Sequence, residues 1–117
     1  PETQNLFNAV KGHLTEYHEK TGIPIEEAKL QNSAMALTAL GYSKKMTDVT
    51  LFNVKDGQYL IGERNPVLNR VSMDMQTAAY IPIEESLAKV QEATQRFEYE
   101  EQQRQYAQSQ AQGMSRS

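Results

Sequence analysis

The chain has 117 residues and no cysteine, with 38% hydrophobic residues and a formal net charge of -3 at pH 7. This length allows one domain with one core, and the lack of cysteine excludes disulfides and thiolate metal sites. There is no basic excess to follow a phosphate backbone, which disfavours nucleic-acid binding. No apolar run approaches the roughly 20 residues that span a bilayer, so membrane insertion is not expected. No signal peptide is recognised, and the start at Pro1 suggests a piece of a longer protein.

Two helices are predicted at the N-terminal end. The first, from about Thr3 to Lys20, has an apolar stripe at spacings of four, four and three, formed by Leu6, Val10, Leu14 and Tyr17. Gly22 is expected to end it in the left-handed conformation. Pro24 is typical of a first helical position, and the second helix should run from there to about Leu40 and stop at Gly41.

A hairpin is predicted next, because two β-rich runs, Thr47–Lys55 and Gln58–Arg64, are joined by Asp56-Gly57. Asn65-Pro66 indicates a turn, and alternation of apolar and polar residues from Val71 to Met75 suggests a third strand. No other part of the chain has strand character. The helices are therefore expected to pack on this small sheet.

The hairpin register decides which sheet face meets the helices. A two-residue turn pairs Val54 with Tyr59 and Phe52 with Ile61, and gathers these four apolar side chains on one face. A three-residue loop with Gly57 as a bulge would shift the pairing by one and mix the faces; the first register is favoured because it separates apolar from polar residues better. It leaves three apolar residues, Val49, Leu51 and Leu60, on the second face, where the C-terminal helix or a partner should contact them.

The C-terminal part is predicted to be a linker, a helix and a tail. Residues Thr77–Pro82 form the linker, and a helical stripe follows, formed by Ile83, Leu87, Val90 and Phe97. The tail is rich in glutamine and has no apolar face, so fraying is expected near Glu98 and disorder by Ala107. Residues 1–97 are thus predicted to form a folded α+β domain, with two N-terminal helices on an antiparallel sheet of about three strands. Residues 98–117 form its tail.

No arrangement of residues in the sequence points to catalysis. His13 and His18 are five apart and do not share a helix face as metal ligands would, so both are interpreted as partly exposed helix residues. Glu26-Glu27 and Glu84-Glu85 suit helix starts better than an acid/base pair. Neither a nucleophile elbow nor a phosphate-binding glycine loop is present. The chain is therefore expected to be a binding module with neither catalytic residues nor a cofactor.

Several landmarks in order resemble one family. They are Asn32-Ser33-Ala34 with Ala36, Asp48-Val49, Lys55-Asp56-Gly57, Thr77-Ala78-Ala79, Pro82 to Ser86, and the glutamine-rich end. Together they resemble the conserved C-terminal domain of antibacterial effectors secreted by the type IV systems of xanthomonads (the XVIPCD family), over nearly the whole chain. The segment Gly41–Asp48 is longer and less apolar than the family's corresponding segment.

The resemblance implies a secretion signal. Such a domain follows a toxin such as a peptidoglycan hydrolase, and is recognised by the all-α domain of the coupling-protein ATPase. The effector is then made in the bacterial cytoplasm and transferred into a target bacterial cell, with a cognate immunity protein as a further partner of the parent toxin.

The candidate docking residues on this hypothesis are Asp48, Val49, Leu51, Leu60, Tyr80, Pro82, Ile83 and Ser86. The candidate translocation residues are Gln102, Gln103, Gln105, Gln108, Gln110 and Gln112. A monomer is expected. The alternative is a self-association or adaptor module in which the helix from Ile83 to Phe97 pairs as a coiled coil.

Overall fold

The computed structural model describes residues 2–64 and 67–115, with side chains described as far as residue 110. The elements in chain order are α1 (Glu2–Thr21), α2 (Glu27–Ser43), β1 (Leu51–Lys55), β2 (Gln58–Arg64), β3 (Leu68–Asp74), α3 (Met75–Tyr80) and α4 (Ile83–Ser115). This order confirms the predicted α+β architecture of N-terminal helices, a three-stranded antiparallel sheet and a C-terminal helix. Among the described residues, no helix is both long and apolar enough to cross a membrane.

The first helix forms as its apolar stripe predicts. Leu6, Val10 and Leu14 are fully buried, and Tyr17 packs against the same core. Gly22 follows the helix with a φ of 71°, a conformation that glycine adopts without steric cost. The predicted end of α1 is therefore confirmed to within one residue.

Both predicted ends of the second helix are wrong. Residues before Glu27 are not helical, so Pro24 is not a first helical position. The helix also passes through Gly41, which is buried inside its last turn, and ends at Ser43. A Cβ at Gly41 would lie 3.2 Å from Met46 Sδ, so this glycine provides space for the returning chain.

The hairpin has the favoured register. Val54 pairs with Tyr59 and Phe52 with Ile61. Asp56 and Gly57 have φ values of 53° and 72°, the two positive angles that a type I′ turn requires. The four apolar side chains named above face α1 and α2, and Tyr59 and Ile61 are at most 1% exposed.

Two strand starts and one connecting segment differ from those predicted. β1 begins at Leu51 rather than Thr47, and β3 begins at Leu68 rather than Val71. The segment Thr77–Tyr80, predicted to be a linker, is instead part of α3, which starts where the Asp74 carboxylate accepts the Thr77 amide at 3.0 Å. This side-chain cap supplies a hydrogen-bond acceptor that the backbone amides in the first turn of a helix otherwise lack. The predicted turn Asn65-Pro66 lies outside the described residues.

The interpretation of His18 as a partly exposed residue is wrong. Its side chain is buried between α1 and the sheet, where Nε2 lies 2.7 Å from the Tyr59 hydroxyl and Nδ1 lies 3.0 Å from the Ile23 carbonyl oxygen. His13 is partly buried and stacks on the Phe52 ring at a centroid distance of 5.4 Å. The two histidines therefore belong to the contact between α1 and the hairpin.

The long helix α4 packs on α2 rather than on the open side of the sheet. The Tyr42 ring meets the Phe97 ring edge-on at 5.3 Å, and its hydroxyl lies 2.9 Å from Thr94 Oγ1. Arg96 donates to the Ser43 carbonyl at 2.6 Å, which satisfies one of the free carbonyls at the end of α2. The predicted α4 stripe is partly wrong, because Leu87 is 47% exposed whereas Ala93 is buried.

Candidate functional site

One face of the sheet is open to solvent. We call it the outer face; it consists of Leu51, Asn53, Lys55, Gln58, Leu60, Gly62, Arg64, Leu68, Arg70, Ser72 and Asp74, the side chains opposite the core in the observed register. Most of these residues are exposed, including Leu51 at 42%. Val67, 75% exposed, immediately precedes β3. The leucines of the face, Leu51, Leu60 and Leu68, lie among polar side chains on a sheet face without a second layer, where a partner could contact them.

Two predicted docking residues, Leu51 and Leu60, are neighbours on this face. Leu60 is half-buried beside Asn53 in the middle strand. Asp48 is exposed just before β1, and its carboxylate accepts the Val49 amide at 2.8 Å. The placement of Val49 on the second face is wrong. It is 6% exposed and belongs to the core, because β1 starts only at Leu51, four residues later than predicted, so Val49 precedes the strand.

The other predicted docking residues lie at the junction of α3 and α4, on the α2 side of the molecule. Tyr80 is 69% exposed, with the Lys29 ammonium 4.9 Å from its ring centroid. Pro82 is exposed and Ile83 is half-buried. Ser86 is 2% exposed, so its prediction as a contact residue is not supported by its position. The predicted docking residues therefore belong to two separate surfaces.

A groove between α2 and α4 was not predicted from the sequence. Its volume is about 330 Å³, and its lining includes buried Ala36 and Ala39, half-buried Met73 and Ile81, and exposed Glu85 and Lys89. The small residues Ala36 and Ala39 of α2 form part of its wall. The groove becomes visible only when α4 is placed, since half of its wall comes from that helix.

The glutamine-rich tail continues α4 beyond the folded head, by which we mean the helices α1 to α3, the sheet and α4 as far as Phe97. Gln102, Gln103, Gln105, Gln108 and Gln110 are exposed, and the side chain of Gln112 lies outside the described residues. The side-chain hydrogen bonds described for this stretch stay within the helix, for example from Gln105 to Glu101 and from Gln110 to Tyr106. The fraying predicted near Glu98 and the disorder predicted by Ala107 stay predictions. They are expected because a helical extension without an apolar face has no packing to stabilise it.

Among the described residues, no three histidine or acidic side chains are grouped so that they could hold a metal ion. Tyr59 is a buried ionisable residue. Burial, with a smaller effect of Tyr17, raises its pKa to about 12. Ser33 is fully buried, and its hydroxyl has no hydrogen-bond partner in the described structure. These groups are dispersed through the core, and the outer face remains the surface best suited to binding.

The sequence matches no protein-family model, and no curated protein matches it closely enough to count as a relative.

Proposed function

We propose that this chain is the secretion-signal domain of an antibacterial effector, recruited by the all-α domain of a type IV coupling protein. The parent effector would be made in the bacterial cytoplasm and carry its toxin activity, such as peptidoglycan hydrolysis, in a domain upstream. This chain would supply recognition and entry rather than catalysis. A cognate immunity protein would be a partner of the toxin rather than of this domain.

The observation that supports this proposal best is the combination of an open face and a projecting helix. The outer face is fixed on a head whose other sheet face is buried by α1 and α2. The glutamine-rich end of α4 extends from that head, and the molecule reaches 68 Å in its longest dimension against 30 and 24 Å in the others. Docking and threading can therefore be assigned to separate parts of one chain. The resemblance described for the sequence links these two parts to secretion.

Deletion of residues 104–117 tests the division of labour. The truncated domain is expected to bind the coupling protein's all-α domain with unchanged affinity, because the outer face is intact, whereas export of a fused reporter should fall. A variant in which serine replaces each glutamine of the tail keeps its length. Export of this variant shows whether export requires glutamine or only a tail of that length. Loss of binding in a titration of the truncation would contradict the assignment of docking to the head.

The two candidate docking surfaces are distinguished by single substitutions. Leu51→Asp places a charge on the outer face, and Tyr80→Ala removes the exposed ring at the α3–α4 junction. We expect only the first to weaken binding, with both proteins keeping the same far-ultraviolet circular dichroism. Weakening by Tyr80→Ala alone would move the docking site to the junction.

A coiled coil through α4 is not favoured by the contacts. Its apolar stripe includes Phe97, which packs on Tyr42, and the adjacent Ala93 is 2% exposed. Pairing through this stripe would require α4 to leave α2. The alternative function predicts a concentration-dependent mass, which sedimentation velocity measures directly.

A further inference from the structure

We propose that the outer face binds an acidic α-helix of its protein partner. The helix would place apolar side chains on Leu51 and Leu60 and carboxylates at Lys55, Arg64 and Arg70. This inference rests on the proposed function, since it names the feature of the coupling protein that the face recognises.

The charge of the outer face differs in sign from that of the chain. The face has three of the 12 lysines and arginines, namely Lys55, Arg64 and Arg70, but only one of the 15 acidic residues, Asp74. The Asp74 carboxylate is already engaged, since it accepts both the amide and the hydroxyl of Thr77 at 3.0 and 3.2 Å. Those hydrogen bonds lower its pKa and keep it charged, but they direct it toward α3.

The three cations have no acidic partner among the residues that the structure describes. All are exposed, and none takes part in an ion pair between residues in the ranges 2–64 and 67–115. Three further acids are near these cations in the sequence. Asp48 accepts the Val49 amide, and Asp56 is in the turn. Glu63, beside Arg64, points to the opposite face of the sheet and accepts the amide and hydroxyl of Thr47 at 2.9 and 2.7 Å. A partner with carboxylates would therefore meet cations that no other described side chain neutralises.

The dimensions of the face suit one helix. Three strands place the outer two roughly 10 Å apart, which matches the diameter of a single α-helix. Lys55 pairs with Gln58 and Arg70 with Gly62, so along the strand direction the two cations are offset by four residues, roughly 13 Å, and they lie on the two outer strands. This separation corresponds to about two and a half helical turns.

Gly62 occupies the middle strand of this surface. It lies between Leu51 and Arg70, is itself buried, and a Cβ added there would be 3.5 and 3.6 Å from the Cβ atoms of those residues. Because Gly62 has no side chain, nothing from the middle strand projects between Leu51 and Arg70 toward a docked helix. A helix in this position would complete the second layer of the sheet, whose first layer is formed by α1 and α2.

An added strand or a nucleic acid fits less well. On the free edge of β1 the outward-pointing Val54 amide already donates to Asn53 Oδ1 at 2.9 Å, which removes a donor that strand addition would use. The net charge of -3 for the whole chain opposes approach of a polyanion that extends beyond this face. A short acidic segment avoids that repulsion because it contacts the outer face alone.

The experiment measures binding of the full 117-residue chain to the coupling protein's all-α domain by calorimetry at low and high salt. The double variant Arg64→Glu/Arg70→Glu is compared with Lys20→Glu/Lys89→Glu, which makes the same change in net charge at exposed positions elsewhere. We expect the first pair to weaken affinity about tenfold or more and the control pair to have little effect. Binding by the unchanged chain should weaken with salt, a result that does not depend on any variant folding correctly. Gly62→Val should weaken binding without altering the salt dependence.

Each outcome is decisive. Equal affinity for the two charge pairs, with no salt dependence, would overturn the acidic-helix proposal and leave the secretion function intact. No binding by any version would overturn the proposed function and the inference together. If the unchanged chain self-associates and Arg64→Glu/Arg70→Glu abolishes this, the face binds a second copy. If the unchanged chain binds a single-stranded oligonucleotide and the same variant does not, the face binds nucleic acid. Either result overturns the proposal.

Discussion

Substitution of Tyr59 by Phe should destabilise the fold through a single lost hydrogen bond. The ring is 1% exposed, and phenylalanine preserves its core contacts, so the change is confined to the hydroxyl that lies 2.7 Å from His18 Nε2. The Ile23 carbonyl can only accept, so Nδ1 of a neutral ring donates and Nε2 accepts from Tyr59. Without that donor, Nε2 is buried and unpaired, which costs about 1–3 kcal/mol of unfolding free energy.

Urea denaturation followed by circular dichroism measures this cost. The midpoint should fall with an unchanged m-value, since the area exposed on unfolding is the same. Tyr17→Phe is the matched control, because the Tyr17 hydroxyl makes no hydrogen bond to another described residue and its loss should cost less than about 0.5 kcal/mol. The reasoning is refuted if the two substitutions have equal effects, or if Tyr59→Phe is the more stable protein.

The same residue predicts a loss of stability at alkaline pH. Burial raises the pKa of Tyr59 from its ordinary value of 10.0 to about 12. The unfolded chain therefore loses this proton first, and stability falls as pH rises from about 10 toward 12, by about 2–3 kcal/mol in total. Tyr59→Phe should lack this part of the alkaline loss, and an identical pH profile for both proteins would contradict the assignment.

Three further predictions concern the turn, the α2–α4 contact and the start of α3. Gly57→Val should lower stability by about 1–2 kcal/mol, because Gly57 has a φ of 72° that a β-branched residue adopts poorly. Gln58→Val, at the exposed first position of β2, is the control in the same denaturation assay. Phe97→Ala should cost about 1–3 kcal/mol and expose the Tyr42 ring, measured as increased quenching of tyrosine fluorescence by acrylamide; unchanged quenching would place α4 elsewhere. Asp74→Asn should weaken the cap of α3 at neutral pH. Because hydrogen bonds from Thr77 lower the pKa of Asp74, its contribution to stability is present above pH 3.8 and lost as pH falls below it, and the variant should show a smaller acid loss.

Interactions that are local in sequence could be predicted from the sequence alone. The stripe of α1 repeats at helical spacing, and its four positions meet the core wherever the helix packs. Asp56-Gly57 specifies a two-residue turn by its own backbone preferences, and that turn sets the pairing of Val54 with Tyr59. The open outer face follows from the same register, because side chains alternate along a strand. Hence Leu51 and Leu60 could be placed on the open face before the fold was known.

Features that depend on distant residues could not be predicted in this way. The cap of α3 is still local, since Asp74 is only three residues before Thr77. The side of the molecule on which α4 lies is not local, because Tyr42 on α2 meets Thr94, 52 residues away, and Phe97. His18 is buried because Tyr59, 41 residues away, supplies a hydrogen-bond partner. Val49 is in the core rather than on the open face because the chain enters β1 at Leu51. A sequence pattern contains the preferences of each segment, whereas these outcomes depend on which segments meet, and only the tertiary structure decides that.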